Sequence, residues 1–82
     1  MKAEFASLLQ LLLMRIRNEP ALAGKYTGDI SPFRDLNSAH WAYNAARVVI
    51  EYNLLQSREP DLFGLEDPVS ALTAIEAFEK IR

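Results

Sequence analysis

His40 and Trp41 are the only histidine and the only tryptophan of the chain, and they stand side by side in "SPFRDLNSAHWAYNAARVVIEYNLLQ", residues 31–56. A histidine can move protons near neutral pH. Catalysis by one, however, needs partners, and no Ser, Cys or second His stands at motif spacing from His40. The expectation is a non-catalytic His40 in the first turn of a helix, hydrogen-bonded to the preceding loop. Trp41 has two compatible readings. It can be a core peg under the preceding loop, with its N–H partnered. It can also be a flat platform on which the apolar face of a sugar stacks. Asp35 lies shortly before the expected helix. A carboxylate there accepts backbone N–H groups and favours the positive helix end, with direct ligand contact as the alternative.

Other chemistries lack their residues. There is no Cys, which removes disulfides, thiolate metal sites and a Cys nucleophile, and leaves the compartment open, cytoplasm included. No Gly-rich phosphate loop, nucleophile elbow or metal-ligand pair is present. The loop "EPDLFGLED" lacks the alternating ligands of a calcium site. The chain is expected to need no cofactor and to be no enzyme. A net charge of −2, with six acids and no base between Glu59 and Glu79, argues against nucleic acid as a partner.

These residues need elements to position them. The chain's 82 residues allow one small domain, which buries only about 60% of its unfolded surface. Phe5, Leu8, Leu9, Leu12, Leu13 and Ile16 recur at helical spacing, and predict an amphipathic helix over 2–18 ended by Pro20. Leu11 and Met14 widen its stripe, so it should be covered on more than one side. Its apolar run is shorter than the ~20 residues of a membrane span, and Glu4, Arg15 and Arg17 argue against a signal peptide.

Residues 20–37 read as a loop anchored by Leu22, Tyr26, Ile30 and Phe33, in which Tyr26 to Ile30 could form a bridge. A second helix is expected over 38–53, capped by Asn37 or Ser38 and closed by a left-handed Asn53. Trp41, Ala45, Val48, Val49 and Tyr52 would form its face, with Ala42 and Ala46 beside it, and Arg47 would pair with Glu51. Residues 55–68 form a second loop pegged by Phe63 and Leu65. A third helix over 69–81 would turn Leu72, Ile75, Phe78 (or Ala74) and Ile81 inward. The class is all-α: a small three-helix module with two long ordered loops. Leu9, Leu12, Val48, Val49 and Phe78 are the expected core, together with Trp41.

Residues 1–12 also align with residues 70–81, placing Leu9 on Phe78 and Leu12 on Ile81. The order "PFRDL", "AHWAYNAARVVIEYNLL", "FGLEDPVSALTAIEAFEKI" then resembles the S-layer homology (SLH) repeat. Phe33, Asp35 and Leu36 match its Phe-x-Asp-hydrophobic element. His40, Trp41 and Ala42 match its His-Trp-Ala, with Ala45 and Val49 on the expected face. Phe63 and Val69-Ser70 match the loop and the start of its second helix.

"MKAEF" looks like the Thr-Arg-Ala-Glu-Phe opening of a preceding repeat's last helix, with Lys2 for Arg. On that basis residues 1–18 are the end of one repeat, 19–30 a connector and 31–82 an SLH-like repeat. Ala71 and Thr73 stand where the family has Arg and Glu, Leu65 where it has Pro, and Asn53 near the usual Gly.

The resemblance implies a module at a bacterial cell envelope or surface that anchors a protein to secondary cell-wall polysaccharide. Its implied glycan contacts are Asp35, His40, Trp41 and Lys2. It also implies packing against neighbouring SLH repeats or identical chains. Because the first helix is apolar on more than one side, at Leu11 and Met14 as well as Leu9 and Leu12, it is expected in the contact of a dimer or a trimer. The alternative is a helical protein–protein association module without a glycan.

Overall fold

The computed structural model describes residues 1–26 and 28–81. Among these residues there are three α-helices: α1 (Lys2–Ile16), α2 (Tyr43–Glu51) and α3 (Ala71–Ile81). A 3-10 turn at Pro20–Gly24 follows α1. Among the described residues there is no strand, and one isolated antiparallel bridge joins Glu59 and Leu62. Thr27, inside the stretch from Tyr26 to Ile30 expected to bridge, lies outside the described residues.

Helices α1 and α2 end the same way. Asn18 (φ 53°) and Asn53 (φ 58°) adopt the left-handed conformation. Beyond α1, the Glu19 N–H reaches the Met14 carbonyl (2.9 Å) and the Asn18 N–H the Arg15 carbonyl (3.4 Å). Beyond α2, the Leu54 N–H reaches Val49 (2.9 Å) and the Asn53 N–H reaches Ile50 (3.1 Å). Both are Schellman closures, which satisfy carbonyls the helix leaves open. Asn is the non-glycine residue best suited to that backbone, so one residue type stops both helices.

The start of α2 differs from expectation. Asn37 turns its side chain onto the Ala39 N–H (2.8 Å) instead of capping the helix. Residues 37–42 therefore form turns, and α2 begins at Tyr43. The start of α3 also shifts, to Ala71, because the Ser70 hydroxyl accepts the Thr73 N–H at the N-cap (3.1 Å).

Ala6, Leu9 and Leu13 of α1 pack with Ala45, Ala46, Val48 and Val49 of α2, Leu22, Tyr26, Phe33 and Leu36 of the first loop, and Phe63 of the second. The alanines of α2 have no bulk to hold α1 away. Asn44 fixes the 3-10 turn, donating to Gln10 and to the Leu22 carbonyl (2.6 Å each) and accepting the Tyr26 N–H (2.7 Å).

Of the expected core, Leu9, Val48 and Val49 are buried, Leu12 is half-buried, and Phe78 and Trp41 are exposed. Helix α3 docks through Ala77 and Ile81, which turns Leu72, Ile75 and Phe78 outward. Phe78 keeps an edge-on contact with Phe5 (5.6 Å between ring centroids). Ala77 explains the rotation: its small side chain lets α3 approach closely, whereas the larger periodic residues would hold it off.

In the loops, Ile30 is exposed instead of anchoring, and Leu65 is half-buried. Arg47 does not pair with Glu51. It donates to the Tyr43 hydroxyl (2.8 Å) and covers the Tyr26 ring (4.4 Å), while Glu51 pairs with Lys25 (3.2 Å). Met14 packs half-buried against the core, and Leu11 faces solvent.

Candidate functional site

Two of the four candidate side chains, Asp35 and Lys2, converge on residues 56–67. The Asp35 carboxylate accepts three consecutive amides, those of Phe63 (2.9 Å), Gly64 (2.9 Å) and Leu65 (3.1 Å). Three successive N–H groups aimed at one point make an anion-binding concavity, and here the chain's own carboxylate fills it. Gly64 permits the turn: its φ is +82°, a left-handed backbone that strains any residue with a Cβ, and an added Cβ would press on the Asp67 carboxylate. Burial alone would raise the Asp35 carboxyl. The amide hydrogen bonds from Leu65, Phe63 and Gly64 outweigh it and hold the group below the ordinary carboxylate range.

Lys2 takes the same loop's acceptors. Its ammonium donates to the carbonyls of Gln56 and Phe63 (2.6 Å for the latter) and stands 4.5 Å from the Phe63 ring centroid. Only 8% of Lys2 is exposed. Burial lowers its affinity for the proton, against the pull of Asp67 and Asp35 nearby. The first backbone N–H groups of α1 join in, Lys2 donating to the Asp67 carbonyl (3.0 Å) and Ala3 to Leu65 (3.1 Å). Helix α1 has no side-chain cap, and these loop carbonyls take that part.

His40 and Trp41 belong elsewhere. They lie in the turns before α2, so His40 is not in the helix's first turn. The Ala42 N–H donates to His40 Nδ1 (3.0 Å), which leaves Nε2 as the free polar atom of the ring. The hydrogen bond of this side chain thus runs forward, to the helix N-cap residue, and not back to the loop. Trp41 is 62% exposed, its ring centroid 5.3 Å from that of His40 with 31° between the planes. It is no core peg. The position under the loop is filled by Leu36, Phe33 and Tyr43 instead.

A shallow depression of about 390 Å3, lined by Asp29, Ser31, Arg34, Asn37 and Ser38 among others, runs along the segment leading into this pair. Arg34 is engaged there by Glu59 (2.9 Å) and Asp61 (3.2 Å).

The arrangement offers aromatic stacking and hydrogen bonding at His40–Trp41, and a closed polar clamp at Asp35–Lys2. The clamp's reach across the chain was not visible in the sequence beyond Asp35's position before a helix. No group of three His, Asp or Glu side chains is placed to hold a metal ion among the described residues. Nor is any of their helices long and apolar enough to cross a membrane. No family model, curated protein or solved structure matches the chain.

Proposed function

We propose that the chain is a non-catalytic, SLH-like binding module of a bacterial cell envelope, contacting wall polysaccharide through Trp41. The observation that carries this is the 62% exposure of the chain's one tryptophan beside a histidine ring. An indole left in water has no packing reason to be there, and its flat apolar face suits a sugar ring. His40 Nε2 supplies a polar group at its edge. Asp35 and Lys2, both engaged by backbone, hold the fold and leave the glycan to the aromatic pair. Pull-down with purified secondary cell-wall polysaccharide tests this. Wild type should be retained and Trp41→Ala should not be, with unchanged circular dichroism. Equal retention of the two, or none of wild type, rejects it.

A second reading, self-association, rests on a different observation. Leu8 and Leu11 of α1 and Leu72 and Ile75 of α3 are all exposed, and apolar surface of this kind marks interaction sites. Sedimentation at micromolar concentration, without glycan, tests it directly.

A further inference from the structure

We infer that α1 pairs with α1 of a second copy, antiparallel about a two-fold axis. This rests on the self-association reading above and goes beyond it by naming the face, its orientation and the contacts. Helix α1 has two opposed faces. Lys2, Ala6, Leu9 and Leu13 are buried within the chain. Glu4, Leu8, Leu11 and Arg15 are all exposed. At 3.6 residues per turn these last four fall within about 60° of arc, on the side away from the core.

The outer face is complementary to itself. Leu8 and Leu11 sit at its middle, with an acid toward one end and a base toward the other. Glu4 and Arg15 are about 16 Å apart along the axis. Turn a second α1 end over end about the midpoint, and Leu8 meets Leu11 of the other copy while Glu4 meets its Arg15. The match occurs twice, as an isologous contact requires. Neither Glu4 nor Arg15 makes an ion pair or side-chain hydrogen bond within the chain among the described residues. The seam repeats at the spacing of paired helices.

The exposed face of α3 fails the same comparison. Glu76 and Glu79 share the outer side with Leu72 and Ile75. An antiparallel α3–α3 pair about the middle of that face therefore sets Glu79 on Leu72 and Glu76 on Ile75, each acid against an apolar side chain with no base to meet it. A parallel α1 pair sets Glu4 on Glu4 and Arg15 on Arg15. Charge therefore selects both the helix and its direction.

Light scattering of the purified chain between 1 and about 200 micromolar tests this, a range set by the typical weakness of small interfaces. The expected mass at the upper end is twice the 9.3 kDa subunit. Leu8→Glu with Leu11→Glu should give a monomer with unchanged circular dichroism. Glu4→Arg, or Arg15→Glu, should raise the dissociation constant about tenfold, since each creates two like-charge contacts. The two reversals together in one chain should restore it.

The absence of cysteine makes crosslinking clean. An oxidised mixture of Glu4→Cys and Arg15→Cys chains should give the mixed disulfide. Strong self-crosslinking of Glu4→Cys alone means parallel pairing and overturns the proposal. A dimer indifferent to the leucine and charge variants, or a mass that grows without limit, overturns the α1 pairing but keeps self-association. A monomer throughout overturns both.

Discussion

The Asp35–Lys2 clamp and the His40–Trp41 corner carry the four side chains that the SLH resemblance singled out, and the structure uses them in opposite ways. At the clamp each charged group meets the backbone of residues 56–67, so charge is converted into loop geometry. At the corner the backbone takes one ring nitrogen and leaves an indole in water. The four side chains therefore divide into a pair that shapes the domain and a pair of which the indole stays exposed to solvent. Stability measurements should separate the two.

Phe63→Ala should have the largest effect. Phe63 is fully buried between Asp35's amide contacts and the Lys2 ammonium, and Phe→Ala in a core costs about 3–5 kcal/mol. That is a large share of the ~5–15 kcal/mol of a typical domain. Urea denaturation followed by circular dichroism measures it; a loss below 1 kcal/mol breaks the view of the clamp as structural.

Asp35→Ala comes next. It strands three partly buried amides at about 1 kcal/mol each, hence about 3 kcal/mol. The same carboxylate sets an acid limb. Its folded pKa is depressed, so its stabilisation is fully present above the unfolded value of about 3.9 and is lost as pH falls through the folded value. Wild type should lose more stability than Asp35→Asn between about pH 5 and 2. Parallel acid curves for the two would show that the amide contacts are not those of an ionised carboxylate.

Lys2→Met should cost about 1–2 kcal/mol, by leaving the Phe63 and Gln56 carbonyls without a donor. Its pH signature has the same sign, stability rising with pH, but falls in the alkaline range. The Lys2 pKa is lowered on folding, so holding the ammonium charged is a cost below the folded pKa. That cost disappears as pH rises toward the unfolded value of about 10.4. Wild type should thus gain on Lys2→Met through the alkaline range, and a constant difference would contradict the burial described.

Trp41→Ala closes the series at within about 0.5 kcal/mol, the range for exposed positions. A loss of 3 kcal/mol or more would return Trp41 to the core and remove the support for a sugar platform.

The same contrast explains what the sequence revealed. The three helices were legible because the apolar period of each is strong, and the left-handed Asn53 because few residues tolerate that backbone. The start of α2 was not, because a short polar side chain at Asn37 can serve a local turn as well as a helix end. The inward face of α3 was missed for a reason of size: Ala77 decides the docking by being small, while Leu72, Ile75 and Phe78 dominate any count of apolar positions. At the candidate site, Asp35's pairing with backbone amides was foreseen in kind. Its partners, about 30 residues away, are set by tertiary closure, to which periodicity is blind.

The long reach of Lys2 bears on the time course of folding. Its bond to the Phe63 carbonyl spans a sequence separation of 61 residues, and closing so long a loop is entropically costly before other contacts hold the ends together. The α1–α2 core can assemble first, with the clamp fastening afterwards. Contacts that form after the rate-limiting barrier act on escape from the native state. Stopped-flow measurements on Lys2→Met should then show refolding at the wild-type rate and faster unfolding, so that the clamp governs how long the fold persists more than how quickly it forms.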